Sequence, residues 1–125
     1  MTAGNWDIHM EQGATLRIHF VYGTSTEATP THVETPYDLT GCTAKMQFRK
    51  RYGEPVLLEL STANGEIELG GVDGTIDCYA SDEQTDLIVE KRGKWDIELT
   101  YANGDVKRIL MGNFYNSLAI TRETP

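Results

Sequence analysis

The strongest constraint on the fold of this chain is a period-two alternation of apolar and polar residues that recurs along most of its length. Trp6, Ile8 and Met10 alternate with Asp7, His9 and Glu11, and Leu16, Ile18, Phe20 and Tyr22 alternate with Arg17, His19 and Val21. Ala44, Met46 and Phe48 point one way while Thr43, Lys45, Gln47 and Arg49 point the other; Trp95, Ile97, Leu99 and Tyr101 repeat the pattern. Successive side chains of a strand face opposite sides, so each run predicts a strand with one buried face. Direct pairing of the first two runs across "EQGA" sets Met10 against Leu16, Ile8 against Ile18 and Trp6 against Phe20, because a one-residue slip would bury charges. The same register sets His19 opposite Asp7.

The connections carry turn chemistry. "KRYGEP" leads into a strand at "VLLELS", and "ANGE" and "VDGT" hold Asn-Gly and Asp-Gly, which tolerate the positive φ of tight hairpins. These turns bracket a short strand around Ile67-Glu68-Leu69 and introduce Thr75 to Ala80, where Ile76, Cys78 and Ala80 share a face. "SDEQTDLI" is the one helical signal. Ser81 with Gln84 three residues on makes a capping box, with Asp82 and Glu83 at the favourable end of the dipole, for one or two turns that Gly93 ends. A hairpin around Asn103-Gly104 follows, then a last edge strand with Leu118 and Ile120. Many short strands at this spacing predict an all-β sandwich or small barrel in one domain, residues 1–125. Two segments fall outside the pattern: a Thr/Pro-rich exposed loop over 23–36 and a polar tail over 121–125.

Charge removes several function classes. Eleven Lys and Arg stand against nineteen Asp and Glu, for a net charge of −8. That balance argues against sequence-independent nucleic-acid binding, which draws its affinity from a basic surface. Cys42 and Cys78 match no zinc spacing, and both read as small core residues of a cytosolic chain. The start lacks the pattern of a signal peptide, and no apolar run approaches membrane-spanning length.

Catalytic patterns are missing as well. The sequence contains no GxSxG, HExxH or P-loop, and His9, His19 and His32 lack a third ligand at useful spacing. "GGVDGTID" resembles one turn of a calcium-binding roll, but such sites need several stacked repeats. Glu66/Glu68 and Asp96/Glu98 are two apart on strands and line a solvent face. Trp6, Trp95 and Tyr101 lie on the apolar phase and read as core. Tyr52 and Tyr115 are the exposed rings that a sugar could stack on. No catalytic residue, metal or cofactor is expected.

Four segments, "WDIHMEQGATLRIHF", "YDLTGCTAKMQFRK", "PVLLELSTANGEIELGGVDGTIDCYASDEQTDLI" and "GKWDIELTYANGDVKRILMGNF", together resemble a family of small phage-encoded proteins. That family shows a D-I-x-x-x-Q-G-A-T-F-like start, a D-L-T-G-Y-T-A-x-M-Q-I-R strand and a late G-x-Y-x-Y-D-L-E-L hairpin. The chain is also similar to the N-terminal domain of phage baseplate upper proteins, an immunoglobulin-like β-sandwich. The likeness runs from Trp6 to about Leu118. Cys42 and Trp95 stand where the family has Tyr, and the 23–36 loop is longer than the family's turn.

The resemblance implies a non-enzymatic structural subunit of a bacteriophage virion, in tail, neck or baseplate, made in the host cytoplasm. Its partners would be other virion proteins and further copies of itself in a symmetric oligomer, with no membrane and no nucleic acid. A carbohydrate- or host-surface-binding module on a fibre or head is the alternative. The expected contact residues are the basic runs Arg49, Lys50, Arg51 and Lys91, Arg92, Lys94, forming a rim if their turns share one end of the sandwich. Thr29, Pro30 and His32 of the long loop complete the set.

Overall fold

The computed structural model of the protein describes residues 4–24 and 35–121. Among these residues the strands are β1 (Gly4–Asn5), β2 (Ile8–Glu11), β3 (Leu16–Val21), β4 (Gly23–Thr24), β5 (Thr35–Pro36), β6 (Thr43–Arg49), β7 (Val56–Ser61), β8 (Ile67–Leu69), β9 (Thr75–Ala80), β10 (Arg92–Thr100) and β11 (Val106–Ser117). A 3-10 turn at Gly71–Asp73 joins β8 to β9, and a short helix, α1 (Asp82–Asp86), leads from β9 towards β10.

The strands form two layers and one small ribbon. The wide sheet runs β11–β10–β6–β7, with β1 and β2 lying parallel to successive stretches of β11 at its far edge. The narrow sheet is β3–β9–β8, antiparallel throughout. A five-position sheet facing a three-stranded one, with the chain start alongside the last strand, is an immunoglobulin-like β-sandwich. The α-helix among the described residues is brief, as the sequence predicts. Ser81 Oγ accepts from the Gln84 N–H, and Gln84 Oε1 accepts from the Ser81 N–H. The helix ends at Leu87, well before Gly93, which sits inside β10.

Three expectations are corrected. β2 and β3 do not pair with each other: β2 joins the wide sheet and β3 the narrow one, so "EQGA" carries the chain across the sandwich. Face matching survives this, because Trp6 still meets Phe20, edge to face at 6.2 Å, but across the layers. Asn64-Gly65 likewise links β7 to β8 between sheets, whereas the turn at Asp73-Gly74 does close a hairpin. Leu118 and Ile120 form no separate strand; β11 runs on unbroken to Ser117, and Ile120 is fully exposed. The 23–36 loop is pinned at its root by pairing of Gly23 with Pro36 and Thr24 with Thr35; Thr29, Pro30 and His32 lie outside the described residues.

The core is aromatic on the side of the wide sheet. Phe48 stacks near Trp95 at 6.4 Å and meets Phe114 edge to face at 5.6 Å, with Phe48 and Phe114 wholly buried. Trp95 Nε1 donates to the Trp6 carbonyl at 2.9 Å, which satisfies the indole and ties the start of the chain to the sheet. Two glycines permit this closeness. A Cβ on Gly112 would lie 1.9 Å from the Trp6 carbonyl oxygen, and one on Gly93 would lie 2.4 Å from both the Arg49 carbonyl oxygen and the Phe114 ring. The narrow sheet contributes one ring, Phe20, and otherwise smaller groups: Leu16, Ile18, Ile67, Ile76, Cys78 and Ala80.

Candidate interaction site

The pole that holds the start of β10 also holds the end of β6, because Lys94 and Arg49 are partners in the sheet register. The two basic runs therefore leave the wide sheet at the same end, as a rim would require. Their side chains do unequal things. The Arg49 guanidinium donates to the Glu54 carbonyl and to Gln47 Oε1, so it braces the β6–β7 turn. Arg51 pairs with Glu54 at 3.4 Å, and Lys94 Nζ donates to Asn113 Oδ1 at 2.6 Å. Lys50, Lys91 and Arg92 are exposed and form no salt bridge among the described residues. Arg49 and Lys94 thus serve the fold, while Lys50, Lys91 and Arg92 are available to a partner and Arg51 is shared with Glu54.

The same pole carries apolar side chains that water covers. Tyr52, at the β6–β7 turn, is 99% exposed, Leu87 80% and Ile120 100%, with Val89 exposed as well. A set of buried polar residues gathers these segments. Gln12 Nε2 donates to the Asp86 carbonyl while Gln12 Oε1 accepts from Ala119 N–H. Thr85, fully buried, donates to the Ala14 carbonyl at 2.8 Å and accepts from Gly13 N–H. Asn116 donates to the Ile88 and Glu90 carbonyls. Sequence reading missed this clasp, although a signal existed: Gln12 follows Met10, and Asn116 follows Phe114, on the inward phase of their strands.

The remaining residues find structural partners. His19 meets Asp77 of β9 at 2.5 Å, not Asp7, whose carboxylate accepts from Asn113 N–H. Tyr115 stacks on His9 at 5.2 Å beside Lys91 and Ser117, in a shallow open depression. The Gly70 to Asp77 segment makes the β8–β9 hairpin, and no group of three metal-binding side chains occurs among the described residues. Burial pushes the Cys78 thiol up to about 12, and both cysteines are free. At the opposite pole burial, followed by a hydrogen bond with Tyr22, pushes Tyr101 up to about 12. Neither group resembles an activated nucleophile, whose pKa would be lowered.

No protein-family model matches the chain, and no curated protein matches it. Solved structures do. An extracellular domain of the voltage-gated sodium channel beta4 subunit, which forms parallel homodimers with a role in cell–cell adhesion, is 10% identical over 96% of this chain and 97% of its own, with a TM-score of 0.49. A chain from a complex of ICOS, ICOS-L and an anti-ICOS-L VNAR domain is 8% identical over 93% of this chain and 55% of its own, at 0.45. Drosophila OTK extracellular domains 3–5 are 14% identical over 88% of this chain and 32% of their own, at 0.37. This chain therefore spans about half and about a third of the last two.

Proposed function

We propose that the chain is a non-enzymatic structural subunit of a bacteriophage particle, in tail, neck or baseplate, working through protein–protein contacts with other particle proteins and with its own copies. One observation carries this reading: three cations without a salt bridge among the described residues and the two most exposed apolar side chains, Tyr52 and Ile120, lie at one pole of an otherwise acidic sandwich. Exposed apolar groups rimmed by charge suit a docking surface, and a basic spot on an acidic protein suits an acidic patch on a neighbour. The phage-like segments, from Trp6 to about Leu118, agree with it. Mass spectrometry of purified particles tests the reading directly: the chain is expected at a fixed copy number, and its absence from particles overturns the proposal.

A second reading, a carbohydrate- or host-surface-binding module on the particle, draws on the stacked His9–Tyr115 pair and the bare Tyr52 ring. It predicts glycan-array binding that Tyr115→Ala or Tyr52→Ala abolishes.

A further inference from the structure

We propose that copies of this chain join head to tail through the two edges of the narrow sheet, β3 of one copy receiving β8 of the next in a parallel pairing. The inference deepens the assembly reading above and rests on it for the gathering of many copies. The edge argument itself is geometric. Among the described residues β3 pairs only with β9, and β8 pairs only with β9. Tyr22 N–H donates to the Gly74 carbonyl, so alternate residues of β3 from Leu16 turn their backbone towards β9, and Arg17, His19 and Val21 turn theirs outward. Tyr79 N–H donates to Glu66 O and Gly70 N–H to Thr75 O, so Glu68 faces β9 while Ile67 and Leu69 offer their backbone groups to the other free edge.

Side-chain phase then selects the pairing. On β3 the residues whose backbone faces the edge carry exposed side chains, Arg17 and His19; on β8 those residues carry the inward Ile67 and Leu69. Antiparallel contact opposes residues of like backbone direction, and would set Ile67 and Leu69 against the charged face. Parallel contact opposes residues of unlike direction. It keeps both apolar faces inward and aligns Arg17 with Glu66 and His19 with Glu68. Charge points the same way. Pairing β3 with another β3 gives Arg17 no carboxylate, and pairing β8 with another β8 opposes carboxylates, whereas β3 with β8 sets Arg17 against Glu66. The shortness of β8, three residues, keeps each contact modest, so association is expected to appear as the concentration of the chain rises.

Such a contact is heterologous and either closes into a ring or grows into a filament. The wide sheet has five strand positions across and the narrow sheet three. With strands about 4.8 Å apart and layers about 10 Å apart, joining narrow edges makes successive copies fan by roughly one radian, which closes near six copies. The narrow sheet would line the inside of that ring.

Sedimentation velocity on the full chain, over a concentration series at physiological salt, tests the pairing. Wild-type protein is expected to form a species of roughly six copies as concentration rises. Arg17→Glu alone and Glu66→Arg alone should each weaken association on the order of tenfold. An equimolar mixture of the two variants should recover it, because every contact between unlike variants again opposes a cation to a carboxylate; recovery also shows that both are folded. Wild-type protein that stays monomeric, variants that assemble like wild type, or a mixture that fails to recover each overturns the pairing. None of these outcomes touches the presence of the chain in particles, which mass spectrometry decides separately.

Discussion

The two sheets of this sandwich are built for different tasks. The wide sheet packs Phe48 against both Trp95 and Phe114, ties the chain start to Trp95 through the Trp6 carbonyl, and relies on Gly93 and Gly112 for close approach. The narrow sheet buries mostly aliphatic groups, carries a charged outer face, and ends in two edges that no described strand covers. The difference teaches where change is tolerated. The wide sheet is expected to tolerate core truncation least, and the exposed side chains of the narrow sheet and of the basic pole to tolerate substitution best.

The sharpest way to break that comparison is truncation of matched core positions. Phe48→Ala removes a wholly buried ring from the aromatic cluster and should cost about 3–5 kcal/mol, enough to unfold a large share of molecules at moderate temperature. Ile76→Val, equally buried on the narrow sheet, should cost only about 0.5–1.5 kcal/mol. Urea denaturation curves compare the two; a loss at Ile76→Val as large as the loss at Phe48→Ala would erase the distinction between the sheets.

Next in size is Gly93→Ala. Its added Cβ meets the Arg49 carbonyl and the Phe114 ring, both held by the sheet, so the backbone must give. A loss of about 1–3 kcal/mol is expected, read as a lower urea midpoint with unchanged slope. A neutral result would mean that β6 and β10 are free to slide apart at this end.

Much of this architecture is legible in the alternation of the chain. Inward faces of β3, β6, β9 and β10 follow from period two alone, and the capping box at Ser81 marks the one helix. Partnership is what alternation cannot specify. Ile8 and Met10 have the same buried phase whether β2 lies beside β3 or beside β11, and the choice is made by distant contacts such as Trp95 to the Trp6 carbonyl. The Gln12–Thr85–Asn116 clasp is hidden for a related reason. A polar residue on an apolar phase reads as the end of a strand until the backbone groups it satisfies are known. The basic rim is a middle case: local turns predict each half, and only the β6–β10 register puts the halves at one pole.

A smaller effect appears at alkaline pH. Burial holds the Cys78 thiol and the Tyr101 hydroxyl at about 12, above their ordinary values of 9.0 and 10.0. Both acids titrate more easily in the unfolded chain, so the stability they contribute is complete below about pH 9 and declines as pH rises towards 12. Melting temperature should fall across that window, and Cys78→Ala together with Tyr101→Phe should flatten the fall. Native protein should release Cys78 to a thiol reagent only on unfolding. An unchanged alkaline slope in the double variant would assign the loss to general repulsion on a chain already at net −8.

The smallest effect on stability should accompany the largest on assembly. Lys50 and Arg51 sit at an exposed turn, and the Arg51–Glu54 pair is solvent-exposed, so it adds little. Reversal of both to Glu should leave folding within about 0.5 kcal/mol of wild type, since surface sites away from packing rarely matter more. Opposed to an acidic neighbour, the same reversal turns attraction into repulsion and should reduce incorporation into particles, measured by quantitative mass spectrometry against an internal particle protein. Arg49→Glu, in contrast, should lower stability by removing the brace to Glu54 and Gln47. If the Lys50/Arg51 variant incorporates as well as wild type, the basic rim is no docking surface, and Tyr52→Ser then tests the exposed apolar side chains in its place.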